Sequence, residues 1–178
     1  ISNHVQGEIS DYRRELDIEK SVMRISYSQN GVKYCREIFA SHPDNVIVMK
    51  LTADKENALD ISIALSSPHK PTTSYSIDNE KHIVKMSGQG PGHGQRRSDA
   101  MIKSWKAEGR HPELYFADGS RKYKEDVLYA DQINGMGTFF ETRLQAIAPE
   151  ATYQVVDSEN PFRSQSLRIS NTDEIVLI

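Results

Sequence analysis

Seven of the ten side chains in "DYRRELDIEK" (Asp11–Lys20) are charged, four carboxylates and three cations. Two acids this close can do general acid–base work when they face one cleft. "GQGPGHG" (Gly88–Gly94) offers a second candidate, a glycine-rich turn that would present His93 to a ligand. It is no phosphate cradle, because neither a Lys-Ser/Thr pair nor a helix follows it. A flexible surface loop is favoured over the role of presenting His93. The six histidines, His4, His42, His69, His82, His93 and His111, show none of the close pair spacings of a zinc site. Neither a metal nor an organic cofactor is expected. The lone Cys35 falls on a strand pattern and reads as a small buried or half-buried side chain, not a nucleophile. Trp105, Tyr115, Tyr123 and Tyr129 would stack on sugar rings if they gathered on one face, although core packing explains most aromatics.

The elements that must position these residues are strands. Read as a helix, Asp11–Lys20 has no apolar stripe. Read as a strand, Tyr12, Arg14, Leu16 and Ile18 alternate with Arg13, Glu15 and Asp17, which favours a solvated strand flank and a turn over an acid pair. Downstream, Asn30-Gly31 sits between two alternating runs, the strongest short hairpin signal, because both central residues of a type I′ turn need positive φ. That register sets Gln29 opposite Val32, Tyr27 opposite Tyr34, Arg24 opposite Glu37 and Met23 opposite Ile38. Arg36 is then the exception on the apolar face.

"SHPD" reads as a turn, and "NVIVMKLTA" as a strand apolar enough to be covered on both faces. "LDISIALSS" alternates cleanly, and a shorter hairpin turns at Asp78-Asn79. From residue 88 to about 125 the chain is rich in Gly, Pro and charge, with at most a short strand at Leu114–Phe116. "GTFFETRLQAIA", "TYQVVD" and "LRISNTDEIVLI" restore the strand pattern. Short strands with regular turn signals predict an all-β, antiparallel β-sandwich of super-sandwich type, a single domain over 1–178, with a long irregular excursion around 88–125.

With 178 residues, a net charge of −3 and 37 % hydrophobic residues, the chain can bury a real core and gives no electrostatic reason to bind nucleic acid. No apolar run reaches the ~20 residues of a membrane helix, so no membrane insertion is expected. One cysteine allows no intrachain disulfide. The opening "ISNHV" and the closing "EIVLI" suggest a piece of a longer protein, in which an unpaired sheet edge would favour self-association.

One stretch resembles a known family. "DYRRELDIEKSVMRISYSQNGVKYCREIFASHPDNVIVMKLTADK" is similar to the N-terminal β domain of glycoside hydrolase family 95, the α-L-fucosidases. The Y-R-R-x-L-D strand is carried by Tyr12, Arg13, Arg14, Leu16 and Asp17. The Gly31 turn and "REIFASHPD" follow without a gap. "LSSPH", "MSGQGPGHG" and "GMGTFFETRLQAI" resemble later parts of the family more loosely. The resemblance implies a β-sandwich that packs on an (α/α)6 barrel holding the catalytic acid and base. It implies a parent enzyme that cleaves terminal α-linked fucose or L-galactose with inversion, periplasmic or extracellular in a bacterium. The barrel would lie downstream of Ile178, so no catalytic residue maps onto this chain and the chain alone is expected to be inactive. His93, His69 and Trp105 are the residues nominated for contact with glycan or with the neighbouring domain. The alternative is a self-standing carbohydrate-binding or interaction module.

Overall fold

The structure is a computed structural model of the chain and describes residues 1–94, 114–116, 118, 120–129, 132, 135–157 and 165–178. The first half runs through β1 (Ser2–Asn3), β2 (Ile9–Asp17), β3 (Val22–Gln29), β4 (Val32–Ser41), β5 (Val46–Ala53) and β6 (Leu59–Ile63). A 3-10 turn at Lys70–Thr72 leads into β7 (Thr73–Asp78), β8 (Ile83–Gln89) and β9 (His93–Gly94). The strands β10 (Val127–Leu128), β11 (Phe139–Ile147), β12 (Thr152–Asp157), β13 (Gln165–Thr172) and β14 (Glu174–Leu177) follow. Eight strands form one sheet in the order β2-β3-β4-β5-β14-β11-β8-β7, and four form another in the order β1-β6-β13-β12. The fold is all-β, with the antiparallel sandwich expected from the alternation.

The β3–β4 hairpin takes the predicted register pair for pair, Gln29↔Val32, Tyr27↔Tyr34, Arg24↔Glu37 and Met23↔Ile38. Asn30 and Gly31 supply the two positive φ values, 53° and 71°. On the inner face Tyr27 and Tyr34 stack with centroids 5.1 Å apart, and the guanidinium of Arg36 lies 5.9 Å from the Tyr27 ring. A cation over an aromatic face explains how an arginine is tolerated there.

Two compact units arise, one from Ile1–Ser67, Tyr75–Met86 and Thr142–Ile178, the other from Pro68–Ser74 and Ser87–Glu141. In the first, Ile61, Ile63, Leu167 and Ile169 of the smaller sheet pack with Leu51, Ile175 and Leu177 of the larger. Each such aliphatic side chain contributes roughly 1.5–3 kcal/mol on full burial. Coverage is uneven. Along the cross-strand row Leu16, Met23, Ile38, Met49 and Leu177, exposure falls from 65 % at Leu16 to 3 % at Leu177. The expectation that β5 is covered on both faces does not hold. Ile47 is 68 % exposed and Lys50 reaches Glu174 at 2.8 Å on the solvent side, so only Leu51 of the strand is fully buried.

"LRISNTDEIVLI" reads as one strand but is two, in different sheets. Asn171 adopts φ 58° beside a register shift at Ser170/Thr172. The Thr172 hydroxyl donates to Glu174 O at 3.0 Å, holding the corner. The second unit carries its own small cluster, Leu114 and Leu128 with Tyr115 and Tyr123 packed against them. At Leu114–Phe116, where the sequence allows at most a short strand, there is one bridge, Tyr115↔Arg121.

Candidate functional site

The charged decapeptide resolves into β2 and its turn. Arg13 meets Glu15 at 2.6 Å, Arg24 meets Glu15 at 3.8 Å and Arg24 Nε donates to Glu37 at 3.1 Å. With Lys50 opposite Glu37 and paired to Glu174, alternating charges run across five strands on the solvent face. Asp17 accepts the Lys20 backbone N–H at 3.0 Å and closes the turn. Each carboxylate of this ladder has a cation beside it, which is the wiring of a solvated sheet face rather than of an acid–base pair. Cys35 is half-buried, and burial pushes its thiol above the usual range, away from thiolate chemistry.

The second unit brings sequence-distant residues together. The 3-10 turn is tied down when Thr72 and Thr73 donate hydroxyl hydrogen bonds to His69 O, at 3.3 and 2.6 Å, and Thr72 also to Gln89 O at 2.5 Å. This leaves the His69 ring edge-on to Tyr129, with Nδ1 3.2 Å from the phenol oxygen. Tyr129 is held in turn, its N–H donating to Gln132 Oε1 at 3.1 Å and its carbonyl accepting from Gln132 N at 2.8 Å. His93 lies in β9 with Leu128, the neighbour of Tyr129, as its register partner. Two of the three nominated residues, His69 and His93, therefore converge on the Leu128–Tyr129 segment. Trp105 lies outside the described residues.

A polar clip organises the adjoining loops. Gln89, itself buried, donates its side-chain N–H groups to Gly135 O at 2.9 Å and Gly137 O at 3.1 Å. Gly90 N donates to Thr138 O at 2.9 Å. Gly137 has φ 133°, and a Cβ there would lie 2.2 Å from Gly90 O, so this close approach requires glycine. "GQGPGHG" and "GMGTFF", far apart in sequence, are thus one structural feature. Sequence reasoning missed Gln89 and Gln132, since a lone glutamine carries no pattern. Tyr129 was visible only as one aromatic of several. Tyr115 and Tyr123 pack into the small core rather than forming a stacking face. Among the described residues no group of three or more His, Cys, Asp or Glu is placed to hold a metal ion.

An imidazole and a phenol on a loop frame can exchange hydrogen bonds with hydroxyl-rich ligands. The whole chain, residues 1–178, matches the profile described as glycosyl hydrolase family 65, N-terminal domain. The chain belongs to this family. The domain is also similar to alpha-L-fucosidase 2 of Arabidopsis thaliana, with 42 % identity over 66 residues. That stretch is 37 % of this chain and 8 % of the plant protein, so the domain spans a small part of that relative. The expected relation to a glycoside hydrolase N-terminal β domain with fucosidase kin stands, with the matching profile numbered 65.

Proposed function

We propose that the chain is the non-catalytic N-terminal domain of an exported glycoside hydrolase resembling inverting α-L-fucosidases, which act on terminal α-linked fucose or L-galactose. It packs on, and supports, an (α/α)6 catalytic barrel elsewhere in the parent protein. The observation that carries this reading is the family match over residues 1–178, joined by the fucosidase relative. The apolar row left exposed at Leu16 and half-buried at Met23 and Ile38 agrees with a sheet that has more face than its own partner sheet uses.

The test is to express the domain and the parent's barrel separately and mix them. Association with a gain in the barrel's melting temperature is expected, together with no release of 4-nitrophenol from 4-nitrophenyl α-L-fucoside by the domain alone. Turnover by the isolated domain, or a barrel indifferent to it, would overturn the proposal.

A further inference from the structure

The segments Thr72–Ser74, Ser87–Gln89 and Phe139–Glu141 enclose an open groove of about 610 Å³, inside the ~300–1,000 Å³ range of small-molecule sites. All its lining residues belong to the second unit. Phe139 is 79 % exposed on a strand, beside hydroxyls held at fixed spacing. Ser74 Oγ and Ser87 Oγ are 3.1 Å apart, and Ser74 also reaches Ser87 O at 3.3 Å. Glu141 follows Phe139 by two residues and so shares its face of the strand. The frame is preformed. Gly88 lets the Thr72 carbonyl and the Phe140 ring close on β8, where an added Cβ would lie 2.5 Å from Thr72 O and 2.9 Å from Phe140 Cζ.

We infer that this groove binds a pyranose ring of a neutral glycan, on a surface of the domain's own. A pyranose has an apolar C–H face and an edge of hydroxyls. The Phe139 ring takes the face, and the serine hydroxyls and the Glu141 carboxylate take the edge. Other ligand classes fit worse. Among the described residues no Lys or Arg lines the groove while a carboxylate does, so the lining itself offers no cation to a phosphate or uronate. A lipid surface wants a wider apolar patch than one exposed phenyl ring, Phe139, and the half-buried Phe140 beside three hydroxyl side chains, Thr72, Ser74 and Ser87. The inference rests on the proposed function only in that glycans are at hand, and it needs no barrel.

The experiment is NMR titration of the 178-residue chain with three probes: Fucα1-2Galβ1-4Glc, cellohexaose, and hexagalacturonate as the anionic comparator. The expected result is saturable shift changes at Ser74, Ser87, Phe139 and Glu141 with at least one neutral probe and none with the uronate. Phe139→Ala should weaken that binding at least tenfold, and Phe139→Tyr should retain it. Since Phe139 is exposed, both variants should keep the parent melting temperature. Shifts absent with both neutral probes, shifts confined to other residues, or equal affinity in Phe139→Ala would each overturn the inference. So would comparable binding of the uronate. None of these outcomes bears on whether the domain stabilises a barrel, so the two proposals fail separately.

Discussion

Asp60 and Arg168 meet between β6 and β13 through two charge-assisted hydrogen bonds, Arg168 Nε to Oδ1 at 2.8 Å and Nη2 to Oδ2 at 2.6 Å. The hydrogen bonds from Arg168 hold the Asp60 carboxyl below the usual carboxylate range, against the opposing effect of burial. A carboxylate whose folded pKa is depressed contributes its stability in full above the unfolded value, about 4, and loses it as pH falls through the folded value. Asp60→Asn should therefore cost about 1–3 kcal/mol at neutral pH, and that gap should close below about pH 4. Urea unfolding of both proteins across pH 2.5–7, about ten points, measures it; a gap that persists at the acid end would refute the assignment. Nothing in the sequence announced this pair, because its partners lie 108 residues apart and neither sits in a motif. The Arg24–Glu37 pair, by contrast, was legible, since a turn signal fixed which residues face each other.

At the scale of elements, local turn chemistry decides what sequence can reveal. Asn30-Gly31 dictates a register over fourteen paired residues, from Met23↔Ile38 to Gln29↔Val32, without reference to the rest of the chain. Gly31→Val should cost about 1–2 kcal/mol, because a β-branched residue resists the left-handed φ of 71°. The site itself is open, with only Lys55 Nζ at 3.8 Å, so the penalty is conformational and not steric. A melting temperature lower by about 3–6 °C is expected by calorimetry. Gly88→Ala fails for the opposite reason, collision with the Thr72 carbonyl, and should cost about 1–3 kcal/mol by the same measurement. The break inside "LRISNTDEIVLI" was legible only in part. Polar Asn171 and Asp173 interrupt the apolar row of Leu167, Ile169, Ile175 and Leu177, but the tertiary frame alone sends the two halves to different sheets. The candidate site was half legible: His69 and His93 stood out as residue types, whereas the Gln89 clip that ties the His93 loop to Gly135 and Gly137 depends on backbone carbonyls no pattern encodes.

At the scale of the whole molecule, the family match and the sandwich agree, and the charge ladder across β2 to β14 gives the larger sheet a salt-sensitive outer face. Exposed pairs of this kind contribute little each, about 0–1 kcal/mol, so raising ionic strength should shift the melting temperature by no more than a few degrees. Edge strand β2 carries a register shift between Ser10 and Arg13 and the charges of Arg13, Glu15 and Asp17, devices that discourage edge-to-edge pairing. The position of β14 has a further bearing on how the domain comes into being. Residues Glu174–Leu177 lie fifth of eight in the large sheet, with β5 on one side and β11 on the other. On the ribosome, the hairpins of β2–β5 can form as they emerge. The sheet stays in two parts until the residues around 177 clear the exit tunnel, and its closure is a late, long-range step.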